Sequence, residues 1–154
     1  MMSRKIISAS ISSTLYALFL SIFFNPYGYN GSIFHSFISS LPMYMIYVVP
    51  AIFLYGIITS ILSDKIGELS KRYIDVKYIS LFISSIFHFL FGLILGWLSL
   101  LAAGIFLITD QLLYKKKPTY TGKEAIIFLL LPVGVFISFL SVISFLDFLD
   151  LITY

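Results

Sequence analysis

The chain contains no cysteine, which excludes disulfides, thiolate metal sites and cysteine nucleophiles. Charge is also scarce. Asp, Glu, Lys and Arg together make up 11% of the 154 residues, against 60% hydrophobic residues. A water-soluble domain of this length would have too little polar surface to cover its core. HExxH, GxSxG, a P-loop lysine and the paired carboxylates of membrane proteases are missing as well, and the many serines lack a histidine and carboxylate at useful spacing. The expectation is a protein that is not an enzyme and that holds no cofactor and no metal. A net charge of +3, carried by residues beside apolar segments, does not track a phosphate backbone, so nucleic acid drops out of the expected partners.

What the sequence does hold is apolar runs of membrane-crossing length. The first charge-free region extends from Ile6 to Ser63 and is punctuated by "NPYGYNGS" at Asn25 to Ser32, a cluster of turn-forming residues. It divides into a helix at about 6–24 and another at about 41–62, joined by an aromatic connection that includes a solvated His35. The first helix ends in bulky "SIFF" rather than a small-x-small cleavage site, so it reads as a retained span and not a removed signal. "DKIGELSKRYIDVK", Asp64 to Lys77, fits either a short helix lying on the membrane surface or a continuation of helix two beyond it. "YKKKPTYTGKE" is a loop, and a last span comes after it at about 125–146.

Residues 78 to 109, "YISLFISSIFHFLFGLILGWLSLLAAGIFLIT", carry no charge at all. One straight helix through them would be about 48 Å long at 1.5 Å per residue, well beyond a hydrocarbon core of about 30 Å. Crossing once would also put Lys115, Lys116, Lys117 and Lys123 outside. Crossing twice keeps all ten basic residues on the cytoplasmic side, as Lys and Arg prefer. The reading is therefore a hairpin turning near Gly96 and Trp97, with helices at about 78–95 and 98–114; the alternative is four spans with one long helix over 78–113. The fold class is all-α, a polytopic transmembrane bundle of five spans forming a single integral membrane domain over 1–154. Its N-terminus is cytoplasmic and its C-terminus external.

Within the third span, Ser80, Ser84, His88, Gly92 and Gly96 recur every four residues and form one stripe of small and polar side chains ending in GxxxG. Ala9, Ser13, Ala17 and Ser21 form a similar row, and Gly56 and Ser60 lead to Asp64. These rows are the expected helix-packing faces. His88 is the one ionisable residue deep in a span. The expectation is a neutral imidazole hydrogen-bonded across the bundle, with proton-coupled or ligand-binding work as the competing role. Asp110 is expected to pair with Lys115 or with Lys77, and Pro50 and Pro132 are expected to bend their spans.

"YGIITSILSDKIG" (Tyr55 to Gly67), "FHFLFG" (Phe87 to Gly92) and "FLITDQLLYKKK" (Phe106 to Lys117) together resemble the uncharacterised small multi-span membrane proteins of Bacillus-type bacteria, the YwlA and YoaG type. The resemblance implies a bacterial plasma membrane and a shared fold, and it brings no activity with it. The residues themselves suggest a structural, accessory or immunity-type protein acting through helix contacts. Its partners would be the lipid bilayer and another membrane protein or a second copy of itself. A small oligomeric transporter or channel using His88 is the alternative.

Overall fold

A computed structural model describes residues 1–24, 33–71, 79–117 and 119–153, and the described residues are almost entirely helical. Helix α1 is Met2–Phe23. Helix α2, Ile33–Ala51, passes through a π-helical segment, Ile52–Gly56, into α3, Ile57–Ser70. Helix α4 is Ile79–Ile94, α5 is Trp97–Lys116 and α6 is Gly122–Thr153. Four continuous helices, namely α1, the 38-residue α2–π–α3 unit, α5 and α6, are long and apolar enough to cross a membrane. With 16 residues α4 is shorter, about 24 Å, but apolar throughout.

The chain breaks at Leu95 and Gly96, which overturns the single helix over 78–113. Gly96 has φ +104°, a left-handed conformation that side chains bearing a Cβ resist. Ser99 secures the reversal by donating to the carbonyls of Gly92 and Gly96. Helix α4 therefore returns as α5 after one tight turn.

Helix two begins earlier than the sequence suggests. Ile33 to Ser40, expected as a connection, form the first turns of α2, because no charge, glycine or proline interrupts them and Ser36 and Ser40 present small buried side chains one turn apart. His35 lies in that first turn and is exposed, while "NPYGYNGS" lies outside the described residues. At the other end the helix runs on through Asp64 to Ser70, and residues 72–78 again lie outside the described residues. The π segment opens two residues after Pro50, which has no N–H to donate and crowds the preceding turn, so the ladder is locally re-registered there.

Helix α1 occupies the centre of the bundle, packed by α2, α5 and α6. Its polar residues are not solvent-facing: Ser8, Ser10, Ser12, Ser13 and Ser21 are all buried. Ser10, Ser12, Ser13 and Ser21 satisfy their hydroxyls within the helix, as in Ser12 to the Ser8 carbonyl, while Ser8 shares its one proton between the Arg4 carbonyl at 3.0 Å and a carboxylate of α5. A slim helix results, against which three neighbours approach closely, the arrangement that holds membrane helices together when lipid removes the hydrophobic drive. Large apolar side chains such as Ile33, Ile94 and Leu54 point outward, as lipid contact requires.

Helix α6 starts with a capping box. The backbone N–H of Thr121 donates to Glu124 Oε2 at 2.7 Å, the N–H of Glu124 donates to Thr121 Oγ1 at 3.3 Å, and Lys117 Nζ lies 2.7 Å from Glu124 Oε1. The Lys117 hydrogen bond, then those from Thr121, hold the Glu124 carboxyl down at about 2, from an ordinary 4.5. Because the folded value is the lower one, the cap contributes fully above pH 4.5 and is lost as pH falls through 2. In Lys117→Met the Glu124 titration midpoint, read from its side-chain carboxyl ¹³C shift, should move up toward the ordinary value. An unmoved midpoint would remove Lys117 as the leading cause.

Candidate functional site

Two features stand out in this bundle, one charged and one apolar. The first is a network of four charges at the end of the bundle where α1 begins. Lys5 is 1% exposed, and its Nζ lies 2.7 Å from Asp64 Oδ2, 2.8 Å from Asp110 Oδ2 and 2.7 Å from Ser60 Oγ. Arg4 reaches Asp110 with two nitrogens, Nε at 2.9 Å and Nη2 at 3.2 Å, and its guanidinium lies over the Tyr114 ring. Ser8 Oγ donates to Asp110 Oδ1 at 3.1 Å and Ser84 Oγ to Asp64 Oδ1 at 2.8 Å. Two cations and two carboxylates thus neutralise one another while tying together α1, α3, α4 and α5.

Asp110 accordingly does not pair with Lys115. Five residues along a helix are about 140° around its axis, so the two side chains leave α5 in different directions. Lys115 is exposed, and Asp110 is buried against α1. Lys77 lies outside the described residues. The partners that the sequence did not disclose are Arg4 and Lys5, more than a hundred residues away. One signal did point at Asp64, which sits one turn beyond Ser60 and two beyond Gly56 on a row of small residues.

The stripe on α4 faces inward along most of its length, with Ser84, His88 and Gly92 buried. Ser80 and Ser84 adjoin Gly67 of α3, and Gly92 abuts Ala103 of α5, where an added Cβ would come within 2.9 Å of the alanine methyl. Gly96 leaves the stripe: it belongs to the turn, with nothing within 4 Å of where a Cβ would be. Its role is conformational, not close packing.

The second feature is a cavity of about 240 Å³. His88 lines it, together with Tyr16, Tyr55, Gly56, Thr59 and Phe106, so that α1, the π segment, α3, α4 and α5 all contribute walls. Exposed Tyr47 and Leu95 also border it and give it a lipid-side rim. Among the described residues that line it, none is an Asp, Glu, Lys or Arg. Thr59 and the two buried-side tyrosines have their hydroxyl protons engaged: Tyr16 donates to the Leu98 carbonyl at 2.9 Å, Tyr55 to the Phe91 carbonyl at 2.7 Å and Thr59 to the Tyr55 carbonyl at 2.9 Å.

His88 differs. It is 3% exposed and stacks against Phe106 with ring centroids 5.5 Å apart, yet neither ring nitrogen has a hydrogen-bond partner among the described residues. The Ala103 carbonyl of α5 faces the ring and attracts its N–H, although no contact at either nitrogen meets hydrogen-bond distance and angle. The carbonyl expected across the bundle is therefore at hand, as that of Ala103, but the contact falls short of a formed hydrogen bond. Leaving such a group buried without a partner costs about 1–3 kcal/mol, so it calls for an explanation. Among the described residues no cluster of three metal-ligating side chains exists, so His88 is not part of a metal centre built from them. Comparison with protein-family models, curated proteins and solved structures gives no match to this chain.

Proposed function

We propose that this protein is a membrane-embedded accessory protein that binds a small apolar molecule inside its helix bundle. The observation that carries the reading is His88: an imidazole buried at the wall of an apolar cavity, both nitrogens unanswered, while the other buried side-chain hydrogen-bonding groups among the described residues are satisfied. The π segment supports it, since such register shifts inside long helices are frequent at functional sites, and here it forms part of the cavity wall. A family tie to the small multi-span proteins of Bacillus-type bacteria is part of the proposal, and with it the plasma membrane.

The competing reading, a small oligomeric transporter or channel, would also use His88. It ranks second because Arg4, Lys5, Asp64 and Asp110 engage one another outside the cavity lining, leaving no free charge among these four to couple to a moving ion. Partners outside the chain, a second copy included, would meet α6, which leaves most of its apolar length outward.

The ligand reading is tested by extracting the protein with its surrounding lipid in polymer discs and releasing it for native mass spectrometry. Wild type should carry one discrete small-molecule adduct, depleted in His88→Leu. Bare polypeptide in both would sink the reading. Lys and Arg gather where α1 and α6 begin and α3 and α5 end, which favours that end for the cytoplasm. In intact cells a cysteine replacing exposed Trp97 should react with an impermeant thiol reagent, and one replacing Thr119 should not; the reverse pattern would invert the topology.

A further inference from the structure

Resting on the ligand-binding reading above, the geometry points to a chemical class: we infer that the cavity takes a neutral ring compound bearing a single hydroxyl group. Three observations converge on it.

Charge is excluded first. No Asp, Glu, Lys or Arg is among the lining residues, and the nearby cations and carboxylates are saturated by each other. A phosphate, carboxylate or ammonium group would enter an apolar space with no counter-charge, at a desolvation cost far above what one hydrogen bond returns. The ligand is therefore neutral.

The polar group is set by His88. An uncharged imidazole presents one N–H and one bare nitrogen. A ketone or ether oxygen can only accept and so answers one nitrogen only. A hydroxyl accepts from the N–H or donates to the bare nitrogen, so it pairs with whichever nitrogen it meets, where a pure acceptor can pair only with the N–H. Tyr16, Tyr55 and Thr59 have their protons directed to backbone carbonyls and do not compete as donors.

The ring is set by the walls. Tyr16, Tyr47, Tyr55, His88 and Phe106 place five aromatic or imidazole rings around one space, surfaces that pack flat rings in offset or edge-on contact. An engineered apolar cavity of about 150 Å³ holds benzene. At about 240 Å³ this one has room for a fused two-ring molecule.

The test uses a matched series on the full chain in phosphatidylcholine nanodiscs, with empty discs subtracted: naphthalene, 1-naphthol and naphthalene-1-sulfonate. 1-Naphthol should bind saturably at one site, about tenfold tighter than naphthalene, equivalent to about 1.4 kcal/mol. The sulfonate should not bind. In His88→Leu the preference for naphthol should vanish while naphthalene still binds, and the thermal midpoint of that variant should be unchanged or higher, because it removes a polar group that lacks a partner in the empty protein. Equal binding of naphthol and naphthalene in wild type would leave the cavity as a binding site and overturn the hydroxyl class. Tightest binding by the sulfonate would overturn neutrality. Saturable binding by none of the three would overturn both this inference and the ligand-binding reading beneath it.

Discussion

Asp110→Ala should destabilise the bundle by about 3–5 kcal/mol, the range for removing one member of a buried ion pair. Asp110 accepts from Arg4 Nε and Nη2, from Lys5 Nζ and from Ser8 Oγ. Without it, two cations face the single carboxylate of Asp64, and Lys5, 1% exposed, cannot withdraw to water. The loss comes from the charge left behind more than from the pair itself. A balanced deletion should therefore be milder. Lys5→Met alone leaves two carboxylates to Arg4, and Asp64→Asn alone leaves two cations to Asp110. Together they leave the two-pronged Arg4–Asp110 pair intact, with one carboxylate for one cation. Thermal unfolding of the four proteins of this cycle in detergent should place the double variant well above the sum of the single losses. Additive losses would mean the four charges do not act as one network. For Asp110→Ala the midpoint should fall by on the order of 10 °C at roughly 2–4 °C per kcal/mol.

That network also marks where reading the sequence stops. Helix existence was legible because it rests on length, charge-free runs and turn residues, all local. The α4–α5 hairpin was legible for a second reason: only one path through residues 78 to 109 keeps the lysines together, and Gly96 was available to turn it. The inward stripe of α4 came from a four-residue spacing that needs no knowledge of neighbours. The ion pairs were not local. Lys5 and Asp110 are 105 residues apart, and Arg4 and Lys5 at the chain start look like ordinary topological charges, whose heads would lie in water. Their burial depends on α1 being the central helix, which its serine-rich composition does not announce until the hydroxyls are seen folded back onto their own carbonyls. The same limit applies to His88. Its depth was legible, whereas its missing partners depend on the cavity that α1, the π segment and α5 enclose around it. Pro50 gave notice of a disturbance in helix two, but whether a proline produces a bend or a π register shift is decided by the helices packed against it.

Gly67→Val is expected to be the most damaging substitution on the α3–α4 seam, with Gly67→Ala next, although neither alters a charge or a polar group. A Cβ at Gly67 would overlap the backbone carbonyl oxygen of Ser80 and stand 3.0 Å from the Ser84 Cβ. The obstacle is main chain, which cannot rotate aside as the tip of a side chain can. Helix α4 must therefore shift as a body. Such overpacking costs about 1–3 kcal/mol for an added methyl or two and more where backbone has to yield. The shift would be felt beyond the seam, because Ser84 donates to Asp64 Oδ1 and Asp64 in turn holds Lys5. His88, one turn further along α4, would move with it and reshape the cavity wall. Gly134 supplies the control: it too lies in an apolar helix, but nothing stands within 4 Å of its Cβ position. Gly134→Ala should leave stability unchanged or slightly raised, since alanine favours a helix by about 1 kcal/mol over glycine. Measured side by side in detergent, Gly67→Ala should lower the thermal midpoint while Gly134→Ala leaves it unchanged or slightly raised. If Gly67→Ala proves as benign as Gly134→Ala, then α3 and α4 are not in close contact at this point, and the path from the seam through Asp64 to Lys5 loses its first step.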